Sequence, residues 1–269
     1  MNPPVIPSWL PLALAGIGGA CIGSFFNVLI HRVPRGESIL WPGSHCPSCG
    51  HKIPAGHNVP LISWLVLKGR CHFCREPIAM RYPAVELTTA IMSMLLYWTL
   101  FSRGLAASLD MSIGLYFFTL ASIPIFILDV NHHLIPDALN FSGMILGLGL
   151  SFFPGGISPL QSLTGLLGAG FFLWLLGWTV SAILKKEALG LGDVKLLAMA
   201  GSLFGLSTAL FGLVSASLLG CLVGIPLLFL NKLGQQKHLP FGPFLCLGII
   251  FTILWGDQVL SWYYRLIGL

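Results

Sequence analysis

The chain has 269 residues, 55% of them hydrophobic and only 9% charged, with a mean hydropathy of +0.86. That composition excludes an ordinary soluble domain and predicts an all-α polytopic membrane protein. The formal charge of +5 does not point to nucleic acid, because seven of the fourteen Lys and Arg residues lie between Arg32 and Arg81. Basic residues gathered beside membrane helices set orientation and meet anionic lipid.

About eight transmembrane helices are expected, at roughly 8–30, 84–102, 111–130, 138–153, 159–184, 194–208, 210–231 and 241–262, each near the length that crosses ~30 Å of hydrocarbon. The first twenty residues hold no Lys or Arg, so the basic start of a signal peptide is missing and the first run is expected to remain as a spanning helix. With the N-terminus outside, twelve of the fourteen basic residues fall on the inner side and only Arg103 and Arg265 outside. The same arrangement puts Asp129 and Asp193 at the cytoplasmic ends of their helices.

The first span closes with Gly23-Ser-Phe-Phe-Asn27-Val-Leu-Ile-His31-Arg32-Val-Pro34. Asn27 and His31, four apart, share a helix face, and Arg32 is placed to snorkel to the interface. Taken alone, this reads as a polar helix end packed on its neighbours.

The one long hydrophilic region, 34–83, holds Cys46-Pro-Ser-Cys49 and, twenty-one residues on, Cys71-His-Phe-Cys74. Two such pairs offer four thiolates from two tight turns, the donor set of a tetrahedral structural Zn²⁺ site. A reducing cytoplasmic loop disfavours the alternative of two disulfides. A closed shell of four thiolates leaves no open position, so this metal is expected to hold a fold and not to do chemistry. The neighbouring His45, His51, His57 and His72 read as surface or supporting groups. Cys21, Cys221 and Cys246 lie in apolar surroundings and read as packing residues.

Arg81-Tyr-Pro-Ala-Val-Glu86 opens the second span. Glu86 falls where a helix dipole favours an anion, with Arg81 or a ligand as possible partners. In the third span Pro124 stands just over one turn before Asp129, where it can kink the helix and free backbone groups. Pro136-Asp137 precedes the next apolar run and reads as a helix cap.

Asp193 follows the fifth span in Lys185-Lys-Glu187-Ala-Leu-Gly190-Leu-Gly192-Asp193-Val-Lys195. The glycines allow positive φ or close approach of another chain, and Glu187 and Lys195 flank the turn as solvated or orienting groups. A cap is the bland reading of Asp193. Later, His238-Leu-Pro-Phe-Gly-Pro-Phe244 forms a rigid entry to the last span.

Ionisable groups at membrane depth are functional candidates by default. Asp129 and Asp193, if brought together, could share one proton and act as base and acid around a water. The working reading is therefore an intramembrane aspartyl protease. A transporter with an acidic proton relay is the rival, and a zinc-bearing membrane scaffold is a third reading.

The ordered set GSFFNVLIHRVP, the paired CxxC knuckles, RYPAVELTT, LDVNHHLIPD, GLGDVKLLA and LPFGPFL, from Gly23 to Phe244, resembles the type IV prepilin peptidases. The resemblance implies a multi-pass enzyme of the bacterial inner membrane, its active site towards the cytoplasm. Such an enzyme cleaves the basic leader from type IV prepilins or pseudopilins that serve pilus or secretion assembly machinery. It places the catalytic aspartates on Asp129 and Asp193. It further implies N-methylation of the new N-terminus with S-adenosylmethionine, associated with the N-terminal region, and raises Gly23, Asn27 and Arg32 to candidate methyl-donor residues. GSFFN carries Phe26 where the family more often has leucine. The expected division is 1–83, the first helix with the zinc-knuckle region associated with methylation, and 84–269, the protease domain.

Overall fold

A computed structural model describes residues 9–102, 108–186, 189–229 and 239–267. Arg103, Glu187, Lys232, Lys237 and His238 lie outside the described residues. The regular structure is helical: α1 (Trp9–Arg32), α2 (Ile62–Val66), α3 (Arg81–Ser102), α4 (Leu109–His132), α5 (Asp137–Leu150), α6 (Pro159–Leu184), α7 (Leu191–Phe229) and α8 (Gly242–Ile267).

Among the described residues, five helices, α1, α4, α6, α7 and α8, are long and apolar enough to cross a membrane. The eight expected spans all fall on helices, α3 and α5 being less apolar or shorter and α7 carrying two of them. α5 has 14 residues, a rise of about 21 Å, short of ~30 Å of hydrocarbon. α3 carries Glu86, Thr88, Thr89 and Ser93 and is less apolar. The expected sixth and seventh spans are two helical segments within 191–229, separated at Gly205, whose backbone (φ 85°, ψ 166°) is not helical.

The chain forms two compact units, Met1–Leu105 and Ala106–Leu269. Within the first unit α3 packs along α1. A Cβ on Gly19 would sit 2.6 Å from Ser93 Cβ, and one on Gly23 would sit 2.8 Å from Glu86 Cα. Small residues that let two helices touch are the usual adhesive where no hydrophobic drive between helices exists. Ser93 donates to the Ala15 carbonyl at 2.6 Å across the same seam.

In the second unit Ser202 of α7 ties three helices. Its carbonyl accepts from Ser162 Oγ of α6 at 2.7 Å, and its own hydroxyl donates to Met144 O of α5 at 2.9 Å. Gly165 and Gly201 bring the backbones of α6 and α7 into contact, and Gly248 of α8 rests on Gly212 and Ala216 of α7. α6 starts with a reciprocal capping box between Ser158 and Gln161, with Pro159 at its first position. Large apolar side chains such as Phe171, Trp174, Phe211 and Leu222 point outward, a surface compatible with lipid and unfavourable in water.

Candidate active site and candidate metal centre

In the second unit, α4 ends at His132. His133 adopts the left-handed conformation (φ 51°), and its N–H caps the Asp129 carbonyl at 2.9 Å. Asp129 itself, one turn before the end, is buried. A carboxylate at a helix C-terminus opposes the dipole of its own helix. The opposition is met by α8, whose first N–H, on Gly242, donates to Asp129 Oδ2 at 2.9 Å. Pro243 and Pro240 flank this contact in the sequence, so the entry to the last span holds a catalytic candidate and is more than a rigid re-entry.

Asp193 is the third residue of α7. It is not the cap. Its backbone N–H bonds the Gly190 carbonyl at 3.2 Å, while its Oδ1 is buried with no hydrogen-bond partner among the described residues. An unpaired buried polar atom in a native fold calls for an explanation beyond packing.

Ile135, in the α4–α5 connection, joins the two sides. A Cβ on Gly192 would meet Ile135 Cβ at 3.1 Å, and one on Gly242 would meet Ile135 Cδ1 at 3.1 Å and Asp129 Oδ2 at 2.8 Å. The two carboxylates are within electrostatic reach of each other and of the buried Cys246 thiol. Gly190 and Gly192 both keep ordinary φ. The close approach that Gly192 permits is to Ile135, whereas a Cβ on Gly190 would lie 3.5 Å from Asp193 Oδ2, in ordinary contact.

Asp137 is the first residue of α5 and Pro136 its cap, so the capping expectation fails. Asp137 instead takes a bidentate contact from Lys195, at 2.7 and 2.8 Å. That pair ties α5 to the start of α7, just past Asp193. Asn140, one turn further along α5, is fully buried with neither amide atom partnered among the described residues. Nothing in its spacing singled it out, since a lone Asn after a helix start reads as a surface residue.

In the first unit, the Sγ atoms of Cys46, Cys49, Cys71 and Cys74 lie within 4.8 Å of one another. Four sulfurs at ~2.3 Å from a tetrahedral Zn²⁺ would stand about 3.8 Å apart, and Cys46 and Cys74 are separated by 3.8 Å. Each knuckle is closed by a tight turn, with Gly50 N–H bonding Cys46 O at 2.9 Å and Arg75 N–H bonding Cys71 O at 3.1 Å. Hydrogen bonds from the Cys74 and Phe73 backbones hold the Cys71 thiol down at about 6. Against the Glu76 backbone bond, which lowers it, burial and the neighbouring thiols push Cys74 up to about 12. A cation among the four would stabilise all of them as thiolates. The donor set and spacing fit zinc.

The candidate methyl-donor residues divide. Gly23 is spent on the approach of α1 to α3. Arg32 does not snorkel. It is buried, and its guanidinium donates to the carbonyls of Ser38 (2.9 Å), Pro42 (2.7 Å) and Gly43 (3.3 Å), organising the start of the loop. Asn27 donates Nδ2 to Tyr82 O at 3.0 Å, and its Oδ1 is buried and unpartnered. Glu86 takes the N–H of Leu61 at 2.8 Å through Oε2. This fixes a residue at φ 62°, a structural role, while the Arg81 guanidinium, one of the partners considered, lies 5.4 Å above the Tyr82 ring. Asn27, Glu86, His57 and Trp64 are among the residues around a cavity of about 530 Å³.

Comparison with known proteins agrees with both halves. Residues 17–100 match the bacterial Peptidase A24 N-terminal domain and residues 115–225 the type IV leader peptidase family. The chain is 34% identical to a prepilin leader peptidase/N-methyltransferase of Aeromonas hydrophila, with 95% of this chain and 94% of that one covered. It is 31% identical to one from Pseudomonas putida (96% and 95%) and 30% identical to one from Legionella pneumophila (95% of each). No solved structure matches. Identity of this order along nearly the whole length of several relatives leaves one conclusion, that the chain belongs to the type IV leader peptidase family.

Proposed function

We infer that this chain is a membrane-embedded aspartyl endopeptidase that removes the leader from prepilins and N-methylates the N-terminus so exposed. The observation that carries the reading is the meeting of Asp129 and Asp193 around Gly242 and Ile135, both aspartates lying within the stretch matched by the peptidase family. No relative reported above is a transporter.

Cleavage follows from the geometry. A prepilin enters beside α4 and α7 with its basic leader on the cytoplasmic side. The scissile segment is extended there, since a helix would hide its carbonyls. One carboxylate, ionised, takes a proton from water as the oxygen attacks the carbonyl carbon. The other, protonated, hydrogen-bonds the carbonyl oxygen and then protonates the departing amine. The proton belongs to the pair. Gly242 N–H steadies Asp129 in either state, and the unpaired Oδ1 of Asp193 is free for water or substrate.

Zn²⁺ on Cys46, Cys49, Cys71 and Cys74 holds the loop of the first unit. S-adenosylmethionine, as methyl donor, would give its sulfonium methyl to the neutral form of the new amine, leaving as S-adenosylhomocysteine with release of one proton. The inward excess of basic residues supports an inner-membrane enzyme working at the cytoplasmic face, on substrates destined for pilus or secretion assembly. The test is purified protein incubated with a prepilin and the methyl donor, the products weighed by mass spectrometry. Loss of the leader mass with a gain of one methyl is expected, and an intact prepilin would refute the reading.

A further inference from the structure

The cavity of about 530 Å³ in the first unit falls within the ~300–1,000 Å³ range of small-molecule sites. Two of its groups lack what burial requires. Glu86 is 8% exposed, yet among the described residues no cation pairs with it, and buried carboxylates ordinarily have one. Asn27 is 2% exposed. Because the Tyr82 carbonyl can only accept, it fixes Nδ2 on that side, which leaves Oδ1 as an acceptor with no donor. The basic groups nearby are already engaged: Arg32 on three loop carbonyls and Arg81 over the Tyr82 ring. Trp64 and Tyr82 also line the cavity, and aromatic rings favour cations.

Resting on the methyltransferase reading above, we propose that this chamber is the methyl-transfer site and that Glu86 and Asn27 form its cation subsite, receiving a positive centre that carries or adjoins N–H donors. Two reactants share that chemistry: the sulfonium and ammonium of S-adenosylmethionine, and the ammonium of the cleaved pilin. Of the three residues first considered, Asn27 belongs to the site, whereas Arg32 lines the cavity while engaged on the loop and Gly23 serves the contact of α1 with α3. Glu86 joins it from α3, and the open Nδ1 of His57 offers a further polar contact.

The experiment is equilibrium binding by calorimetry on the full-length, zinc-loaded enzyme in detergent. One arm compares S-adenosylmethionine with S-adenosylhomocysteine, which lacks the sulfonium charge and keeps the ammonium, and the other a pilin N-terminal peptide with a free amine against its acetylated form. Wild type is expected to prefer the more positive member of at least one pair. Glu86→Gln keeps an acceptor for Leu61 N–H and removes only the charge, so it should erase that preference, a loss of about ten- to a hundredfold for a charge-assisted contact. Asn27→Leu should weaken the same ligand, and Asn27→Asp should retain the preference. The arm that responds names which cation the subsite holds. Unchanged preferences in Glu86→Gln and Asn27→Leu, with zinc content and thermal midpoint as in wild type, would overturn the subsite and leave the methyltransferase reading standing. A wild-type enzyme that neither binds the donor nor transfers methyl would instead overturn that reading.

Discussion

Gly242→Ala tests the proposed dyad through its support. The added Cβ would lie 2.8 Å from Asp129 Oδ2, whereas ordinary contact begins at 3.4 Å, so the carboxylate must retreat by about 0.6 Å or α8 must yield. Displacements of ~1 Å at a reacting group cost about a hundredfold in rate. A loss of roughly ten- to a hundredfold in cleavage is therefore expected, about 1.4 to 2.7 kcal/mol of transition-state stabilisation. Gly190→Ala is the matched control: its Cβ would stand 3.5 Å from Asp193 Oδ2, in ordinary contact, at a residue with unstrained φ. It should cleave within about twofold of wild type, as a substitution that disturbs no contact does. The assay is the initial rate of prepilin cleavage by purified enzyme, with the thermal midpoint measured alongside. Full activity in Gly242→Ala, or equal losses in the two variants, would refute the assignment of Asp129 as a group whose position matters.

Asp129→Asn and Asp193→Asn should each abolish cleavage, because removing one member of a catalytic unit costs nearly as much as removing both. Substantial turnover by either variant, read by mass spectrometry, would sink the dyad. Asp137→Asn should cleave normally and lose at most about 1 kcal/mol of stability, since its pair with Lys195 is largely exposed. One zinc per chain should copurify and be lost from Cys46→Ser/Cys49→Ser. Zinc added to the metal-free protein at pH 7 should release protons, Cys74 among the sources because its thiol stands at about 12, and a pH-stat that records no release would exclude thiolate ligation. Those cysteine variants should lose methylation before cleavage, because the loop's folding energy is largely its metal-binding energy, whereas the membrane helices are held by their own packing. Parallel decline of the two activities across the cysteine series would contradict that separation.

Hydrophobicity and spacing along the chain were enough to establish a membrane protein, helical throughout, with four thiols in metal-binding register and two aspartates at helix ends. Those properties are local: an apolar run of sufficient length must be helical in lipid, and a CxxC pair converges by turn geometry alone. The exact break between the sixth and seventh spans was less legible, because it lies at Gly205, whose backbone conformation no hydropathy pattern encodes. Asp137 looked like a cap and is a partner of Lys195, and Arg32 looked like an interfacial side chain and is the buried clasp of a loop. Both assignments depend on residues distant in sequence or on a loop path that no periodicity encodes. The same holds for Gly242, whose N–H reaches an aspartate 113 positions earlier, and for Glu86 and Asn27, ordinary helix residues until folding buries one with no cation beside it and the other with its Oδ1 unpartnered. Sequence set which groups are present and which helices carry them. Only the tertiary structure decided which of them go unpaired, because an unsatisfied charge or carbonyl is a property of the surroundings and not of the residue.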